Sequence, residues 1–333
     1  MQLSSVRALK KELQENLVGP WVSNQLYRQS LGVRATRLAE NVVPPTLALG
    51  VKRASSQSDG FQLAVRVQQA LLLKSPLIDQ IKIQAKGEID VQYVGLIRPR
   101  QAPWYQLPSR PLRIGCSIAH YRVTAGSLGG VVRTRDGGKE LLLSNNHVFA
   151  DENRGAQGDD ILQPGSFDGG QDPADCVGTL SSFIPIDFKQ ANLVDCATAA
   201  PGEEIDLDPQ TLTGFGRLNG VRNAPLTGNE TVSKIGRTTG ATTGTITAIE
   251  LDNLVIDYDQ GQATFDSQIE IAGGAGSVFS EGGDSGSLIF DQSLSAVALL
   301  FAGSSSGGTG NLGLTYANPI LEVLDQLKAD LLS

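Results

Sequence analysis

Residues 281 to 289, Glu-Gly-Gly-Asp-Ser-Gly-Ser-Leu-Ile, place a serine where it could do nucleophilic chemistry. Glycines on both sides of Asp284 and Ser285 would lift the Ser285 hydroxyl clear of the backbone and aim the amides of Gly283 and Ser285 at one spot. Acyl transfer needs that geometry. A serine hydroxyl is a weak nucleophile at neutral pH, so it requires an adjacent base, and the oxyanion formed on attack requires fixed donors in a dry site. Taken alone, Gly-Asp-Ser-Gly also suits a hairpin turn in which Asp284 bonds its own backbone. A base and an acid elsewhere in the chain are what separate the two readings.

The chain holds two histidines, so the search for a base is short. His147 follows the apolar run Leu141-Leu142-Leu143 at the point where a strand must give way to a loop, so its ring can be held firmly while facing a cleft. His120, within Ile118-Ala119-His120-Tyr121, lies mid-strand and reads as structural. The base in turn needs a carboxylate to fix its tautomer and stabilise the imidazolium. Asp195 sits inside Asn192 to Ala199, flanked by Val194 and Cys196, where an unpaired charge would be expensive to desolvate. It is the best orienting acid, with Asp187, in a more polar run near Lys189, the second choice.

The chain order is His147, Asp195, Ser285, the His-Asp-Ser order of one of the three unrelated triad arrangements. Further stretches go with it: Val123-Thr124-Ala125-Gly126-Ser127-Leu128-Gly129, Leu143 to Val148, Leu162-Gln163-Pro164-Gly165, Asn192 to Ala199, Lys234 to Gly240 and Gly283 to Gly286. On these, residues 113 to 332 resemble the trypsin-like (chymotrypsin-fold) serine proteases, and more narrowly an intracellular branch that includes the plant narrow-leaf proteases and uncharacterised bacterial relatives. The resemblance implies two six-stranded β-barrels, His147 and Asp195 from the first and Ser285 from the second. It implies a serine endopeptidase acting on a protein or peptide substrate, with an oxyanion hole at Gly283 and Ser285 and with no cofactor or metal. It also implies a specificity pocket at Phe279, Phe301 and Gly303. Phe279 stands six residues before the serine, where a tryptic pocket has an acid, so a small or apolar substrate side chain is expected.

Two departures from the family matter. Secreted members pair a freshly cut N-terminal amine with the aspartate before the serine, whereas here Gly129-Gly130-Val131-Val132 lies deep inside the chain, so Asp284 must be stabilised in another way. Val148 stands after the base where secreted relatives commonly have a cysteine. The alternative function is a protease-fold peptide-binding, regulatory or scaffold protein with little turnover, and a serine esterase would use the same machinery.

The elements that must position these residues are mostly strands. Of 333 residues 38 are glycine and aromatics are 5%, a mix that favours short strands and tight turns. The strand pattern after 113 suits an antiparallel sandwich or barrel pair; with the resemblance, the expected fold is mainly β, a chymotrypsin-like double antiparallel β-barrel over 113–333 with a small N-terminal α/β domain and a C-terminal helix. Leu3, Val6, Leu9, Leu13 and Leu17 recur at helical spacing and give an amphipathic helix within 1–20. Its apolar stripe should rest on the same protein, with self-association through the N-terminal region the alternative. Residues 42–97 read as a β-β-α-β domain: Thr46 to Arg53, Phe61 to Val67 across a Ser58-Asp59-Gly60 turn, a helix capped by Ser75-Pro76, then Glu88 to Gly95. Four prolines in 98–111 mark a linker over 98–112. Asn318 and Pro319 should open the last helix, with Ile320, Val323, Leu324, Leu327 and Leu331 on one face.

A net charge of -8 argues against a nucleic-acid or membrane-surface role. No apolar run suits a signal peptide or a membrane span, so the chain reads as cytoplasmic. Cys116, Cys176 and Cys196, odd in number and irregular in spacing, fit neither a disulfide framework nor a zinc site. The Thr-Thr-Gly repeats in Arg237 to Thr245 read as hairpin turns rather than substrate contacts. The acidic loop Asp151 to Asp175, with Asp159, Asp168 and Asp172, lacks the spacing of an EF-hand.

Overall fold

The computed structural model describes residues 1–21, 47–54, 60–95, 97, 102–274 and 276–333. The expected strand start at 42–46, the Ser58-Asp59 part of the turn and the linker residues 98–101 lie outside the described residues. The chain divides into two units, Met1–Gln101 and Ala102–Ser333.

In the first unit, helix α1 (Leu3–Leu13) continues as a wider turn to Val18, and Val6, Leu13 and Val18 are buried in that unit's own core. Strands β1 (Leu47–Arg53) and β2 (Phe61–Val67) pair antiparallel, and β3 (Ile89–Tyr93) joins β2 in parallel after helix α2 (Pro76–Gln84). Ser75 caps α2 by accepting from the Ile78 amide, and Pro76 fills the first helical position, where its missing N–H costs nothing.

The second unit is built almost wholly of antiparallel strands. Strands β4 (Ala119–His120), β5 (Gly130–Thr134), β6 (Glu140–Ser144), β7 (Asp160–Leu162), β8 (Cys176–Phe183) and β9 (Ala197–Pro201) form one sheet. Its seventh strand comes from Ala329–Leu331, which pairs with β5 at the sheet's far edge. The leucine run of β6 explains itself: Leu141 and Leu143 face one core cluster and Leu142 the other, so the strand is apolar on both faces. The short helix α3 (Asn146–Phe149) follows β6 directly.

Six strands of the later half close into a barrel: β10 (Thr231–Gly236), β11 (Gly240–Leu251), β14 (Gln268–Gly273), β15 (Leu288–Asp291), β16 (Ala296–Gly303) and β17 (Leu314–Pro319). Between β11 and β14 the chain leaves the barrel as a separate hairpin, β12 (Leu254–Tyr258) and β13 (Gly261–Phe265). The sequence reads Ala263 to Ala272 as one run, but it breaks at Asp266-Ser267, where Ser267 takes φ +62. Helix α4 (Ile320–Gln326) then packs Ile320, Val323 and Leu324 into the core shared by sheet and barrel.

Three sequence expectations need correction. Residues 102–112 are part of the second unit: Leu112 is fully buried, and the Gln106 side chain donates to the Arg237 carbonyl at 2.9 Å. Asn318 does not cap α4, because its buried side chain is engaged elsewhere. Leu331 lies in the last strand rather than in the helix, since Lys328, at φ +51, ends the helical turn.

Candidate active site

The site is assembled where α3, the segment before β9 and the turn before β15 converge. His147 is held by α3, one turn of helix that starts as soon as β6 ends. Asp195 lies two residues before β9 and not within a strand. Side chains satisfy its backbone in place of a ladder: Asn318 Oδ1 accepts from the Asp195 amide at 3.0 Å, and Asn145 Nδ2 donates to the Asp195 carbonyl at 2.7 Å. Asn318 is fixed in turn by donating to Gln268 Oε1 at 2.7 Å.

The Asp195 carboxylate is fully buried and accepts four hydrogen bonds. Oδ1 takes the amides of Asn146 at 2.6 Å and His147 at 3.3 Å, and Oδ2 takes His147 Nδ1 at 2.6 Å and the Tyr258 hydroxyl at 2.8 Å. A buried carboxylate without such donors would be far too costly to keep ionised. Burial of the His147 ring opposes its protonation, but the charge and hydrogen bond of Asp195, joined by the Glu152 charge, outweigh it. The pKa of His147 therefore lies above the ordinary 6.5. Burial, and then the neighbouring Asp195 charge, push the Tyr258 phenol well above its ordinary 10.0, so it stays a donor.

His147 and Ser285 line one cleft of about 340 Å³, together with Gly283, Thr124, Ala125 and Glu152. With Nδ1 given to Asp195, the other nitrogen of the ring is left for the cleft. The turn before Ser285 is closed by the Asp284 amide donating to the Glu281 carbonyl at 3.0 Å, and Gly283 takes φ +95, the backbone that a type II turn demands at its third position. Thr238 Oγ1 donates to the Gly282 carbonyl at 2.7 Å. Because N–H and C=O of one peptide point opposite ways, the Gly283 N–H then faces away from Thr238. Among the described residues neither the Gly283 nor the Ser285 amide donates to the protein. Ser127 ties the turn to the first sheet: its amide donates to the Ser285 carbonyl at 2.8 Å and its hydroxyl to the Gly283 carbonyl at 3.1 Å.

Asp284, fully buried, points away from the cleft into a cage. Its oxygens accept from the amides of Thr238 at 2.8 Å, Thr239 at 3.1 Å and Glu281 at 3.0 Å, and from the Thr239 hydroxyl at 2.7 Å. The Lys234 ammonium, also fully buried, stands 3.2 Å away and donates to the Gly240 carbonyl at 3.0 Å. Burial pulls the Lys234 pKa below its ordinary 10.5 against the pull of Asp284. An internal lysine thus supplies the cation that Asp284 needs, and the Thr-Thr-Gly turn supplies three of its four other donors, the Glu281 amide being the fourth.

No family model matches the chain. Protein NARROW LEAF 1 of rice (Oryza sativa subsp. japonica) is 29% identical over 220 residues, which are 60% of this chain and 36% of that protein, so the chain spans about a third of its relative's length. Among solved structures, Cellulomonas bogoriensis chymotrypsin is 21% identical at a TM-score of 0.45, covering 66% of this chain and 97% of its own. Thermobifida fusca protease A is 20% identical at 0.45, covering 66% and 98%.

The other sequence candidates fall outside this arrangement. His120 is fully buried, with Nε2 3.0 Å from Asp159 and Nδ1 accepting from the Arg122 amide, so it is structural. Asp187 accepts from the Lys189 and Gln190 amides in its own turn. Asp168 is bonded to Arg237, and Asp159 to His120. Cys116, Cys176 and Cys196 are free; burial pushes the Cys116 thiol up to about 12 and the Cys196 thiol well above 9.0.

Of the three residues expected to form a specificity pocket, one lines the pocket beside Ser285 and two pack in cores. Phe279 is buried in the barrel core, and Phe301 packs on Phe265 with ring centroids 4.8 Å apart. Neither lines the pocket of about 280 Å³ beside Ser285. Gly303 does, with Ser280, Gly282, Leu300, Ala302 and Ser304. The Ser280 hydroxyl is bonded to that of Thr315 at 2.6 Å. The sequence reading also missed Lys234, Tyr258 and Asn318.

Proposed function

We propose that this chain is a serine endopeptidase in which Ser285 is the nucleophile, His147 the base and Asp195 the orienting acid. The observation that carries the reading is that the His147 ring, backed at 2.6 Å by a buried carboxylate, shares a cleft with a serine whose turn leaves two amides unpartnered among the described residues. In the proposed cycle Ser285 Oγ attacks the scissile carbonyl carbon as His147 Nε2 takes its proton, and Asp195 stabilises the imidazolium. The amides of Gly283 and Ser285 hold the oxyanion, a contribution worth about 10²–10³ in rate per donor in such sites. His147 returns the proton to the leaving amine as the C–N bond breaks; water, deprotonated by the same ring, then attacks the acyl-enzyme, and the ring passes that proton to Ser285 Oγ as the acid departs.

The pocket beside Ser285 supports a preference for small or medium uncharged side chains. Its residues are hydroxyls, glycines and aliphatics, with Glu281 as its charged member. The test is labelling by a fluorophosphonate probe together with cleavage of a peptide library. Wild type should label and cleave after uncharged residues, and Ser285→Ala should do neither. Absence of labelling at every pH from 6 to 9 would refute the hydrolase reading and leave a peptide-binding role for the cleft.

A further inference from the structure

The hairpin of β12 and β13 has no part in closing the barrel, yet it is bonded to the segments that carry both His147 and Asp195. At its base, the Asn192 amide donates to the Thr264 carbonyl at 2.8 Å and the Asp266 amide to the Asn192 carbonyl at 2.9 Å, three residues before Asp195. At its tip, the Asp259 amide donates to Glu152 Oε1 at 3.2 Å, and Gln260 Nε2 donates to the Glu152 carbonyl. Glu152 belongs to a run of three residues, Asp151, Glu152 and Asn153, at φ +47, +53 and +70, directly after the helix that holds His147. Non-glycine residues keep such a backbone only where the surroundings over-determine it. Here Asn153 is clamped by Asn146 and by the Ile186 backbone, and Glu152 by the hairpin tip.

Between these two anchors stands Tyr258, its ring packed 6.2 Å from those of Phe188, Phe265 and His147, its hydroxyl 2.8 Å from Asp195 Oδ2. A carboxylate offers about four acceptor sites. Two amides and the imidazole fill three of those on Asp195, and only the Tyr258 hydroxyl fills the fourth among the described residues. We propose that Tyr258 is a positioning residue of this site: by occupying the second lone pair of Asp195 Oδ2, it fixes the plane of the carboxylate and sets how strongly the acid holds His147. The proposal rests on the hydrolase reading for its catalytic meaning, but the link from Tyr258 through Asp195 to His147 can be measured without turnover.

The chain's two histidines make that measurement clean. Proton NMR titration of the intact chain follows the His147 ring. The charged groups that line the His147 cleft are Arg122, Asp151, Glu152, Arg154 and Asp259, all left unchanged. Tyr258→Phe keeps the ring and removes the hydroxyl. Asp195, with one donor fewer, then pulls harder on the imidazole proton, so the His147 midpoint rises. Probe labelling slows about tenfold, the effect of losing a hydrogen bond to a charged group. Placing 3-fluorotyrosine at position 258 strengthens the donor and moves the His147 midpoint down. A His147 midpoint that stays or falls in Tyr258→Phe, or that rises with the fluorinated side chain, overturns the proposal. If wild type does not label, the hydrolase reading fails, while the two titrations still decide the role of Tyr258.

Discussion

Lys234→Met removes the one cation beside Asp284 among the described residues and leaves a carboxylate with no exposure. Breaking a buried ion pair from one side costs about 3–5 kcal/mol, because the remaining charge is uncompensated. Asp284 keeps three amide donors and the Thr239 hydroxyl, which places the cost at the lower end, about 3 kcal/mol. For a unit of this size each kcal/mol lowers Tm by about 2–4 °C, so a fall of about 6–12 °C is expected by circular dichroism. Activity should fall further than stability. Asp284 lies between Gly283 and Ser285, and a carboxylate that turns toward solvent carries both amides with it. Misplacing a single oxyanion donor costs about 10²–10³ in rate, so phosphonate labelling should slow at least a hundredfold. Lys234→Met with Asp284→Asn removes both charges and should regain most of the lost Tm, since neither is left buried alone. A Lys234→Met protein that melts with wild type and labels at its rate would show that the ion pair does not hold the turn.

Glu152→Gln should lower the pH at which labelling sets in, because the Glu152 charge helps to raise the pKa of His147 and catalysis needs the neutral ring. The linkage runs the other way for stability: with the folded pKa above 6.5, His147 stabilises the fold fully below pH 6.5 and loses that contribution as pH rises through the folded value. A labelling profile in Glu152→Gln that coincides with wild type, or moves to higher pH, would refute this. Gly286→Ala should abolish labelling and lower Tm by several degrees. Its new Cβ would stand 2.1 Å from Ser144 Oγ and 2.3 Å from the Ser127 carbonyl, at φ +88; a soluble variant with wild-type melting would contradict that packing.

What was legible in the sequence follows from how local each signal is. Ser285 announces itself by its flanking glycines, His147 by standing at the end of a leucine strand, and Asp195 by being a charge among apolar neighbours. The same rule applied to Lys234, a charge between Ser233 and Ile235 in a strand that is buried from Val232 onward, would have asked for a partner and found Asp284. Tyr258 carries no such mark. It is a tyrosine at the tip of an ordinary alternating hairpin, and its role arises only from where that hairpin lands. Asn318 misled because an Asn-Pro pair before an apolar run is a sound helix-start signal, while the demand of the Asp195 amide for an acceptor comes from 123 residues away. Phe279 and Phe301 do not line the pocket beside Ser285, because counting along the chain fixes a position, not the direction of a ring, and both rings turn into cores.

The strand Ala329–Leu331 follows the barrel in sequence but hydrogen-bonds to the sheet that carries the His147 helix. Many two-lobed enzymes admit and release ligands by swinging one lobe about a hinge. Here such a swing would have to tear a β-ladder, so the sheet and the barrel are mechanically coupled.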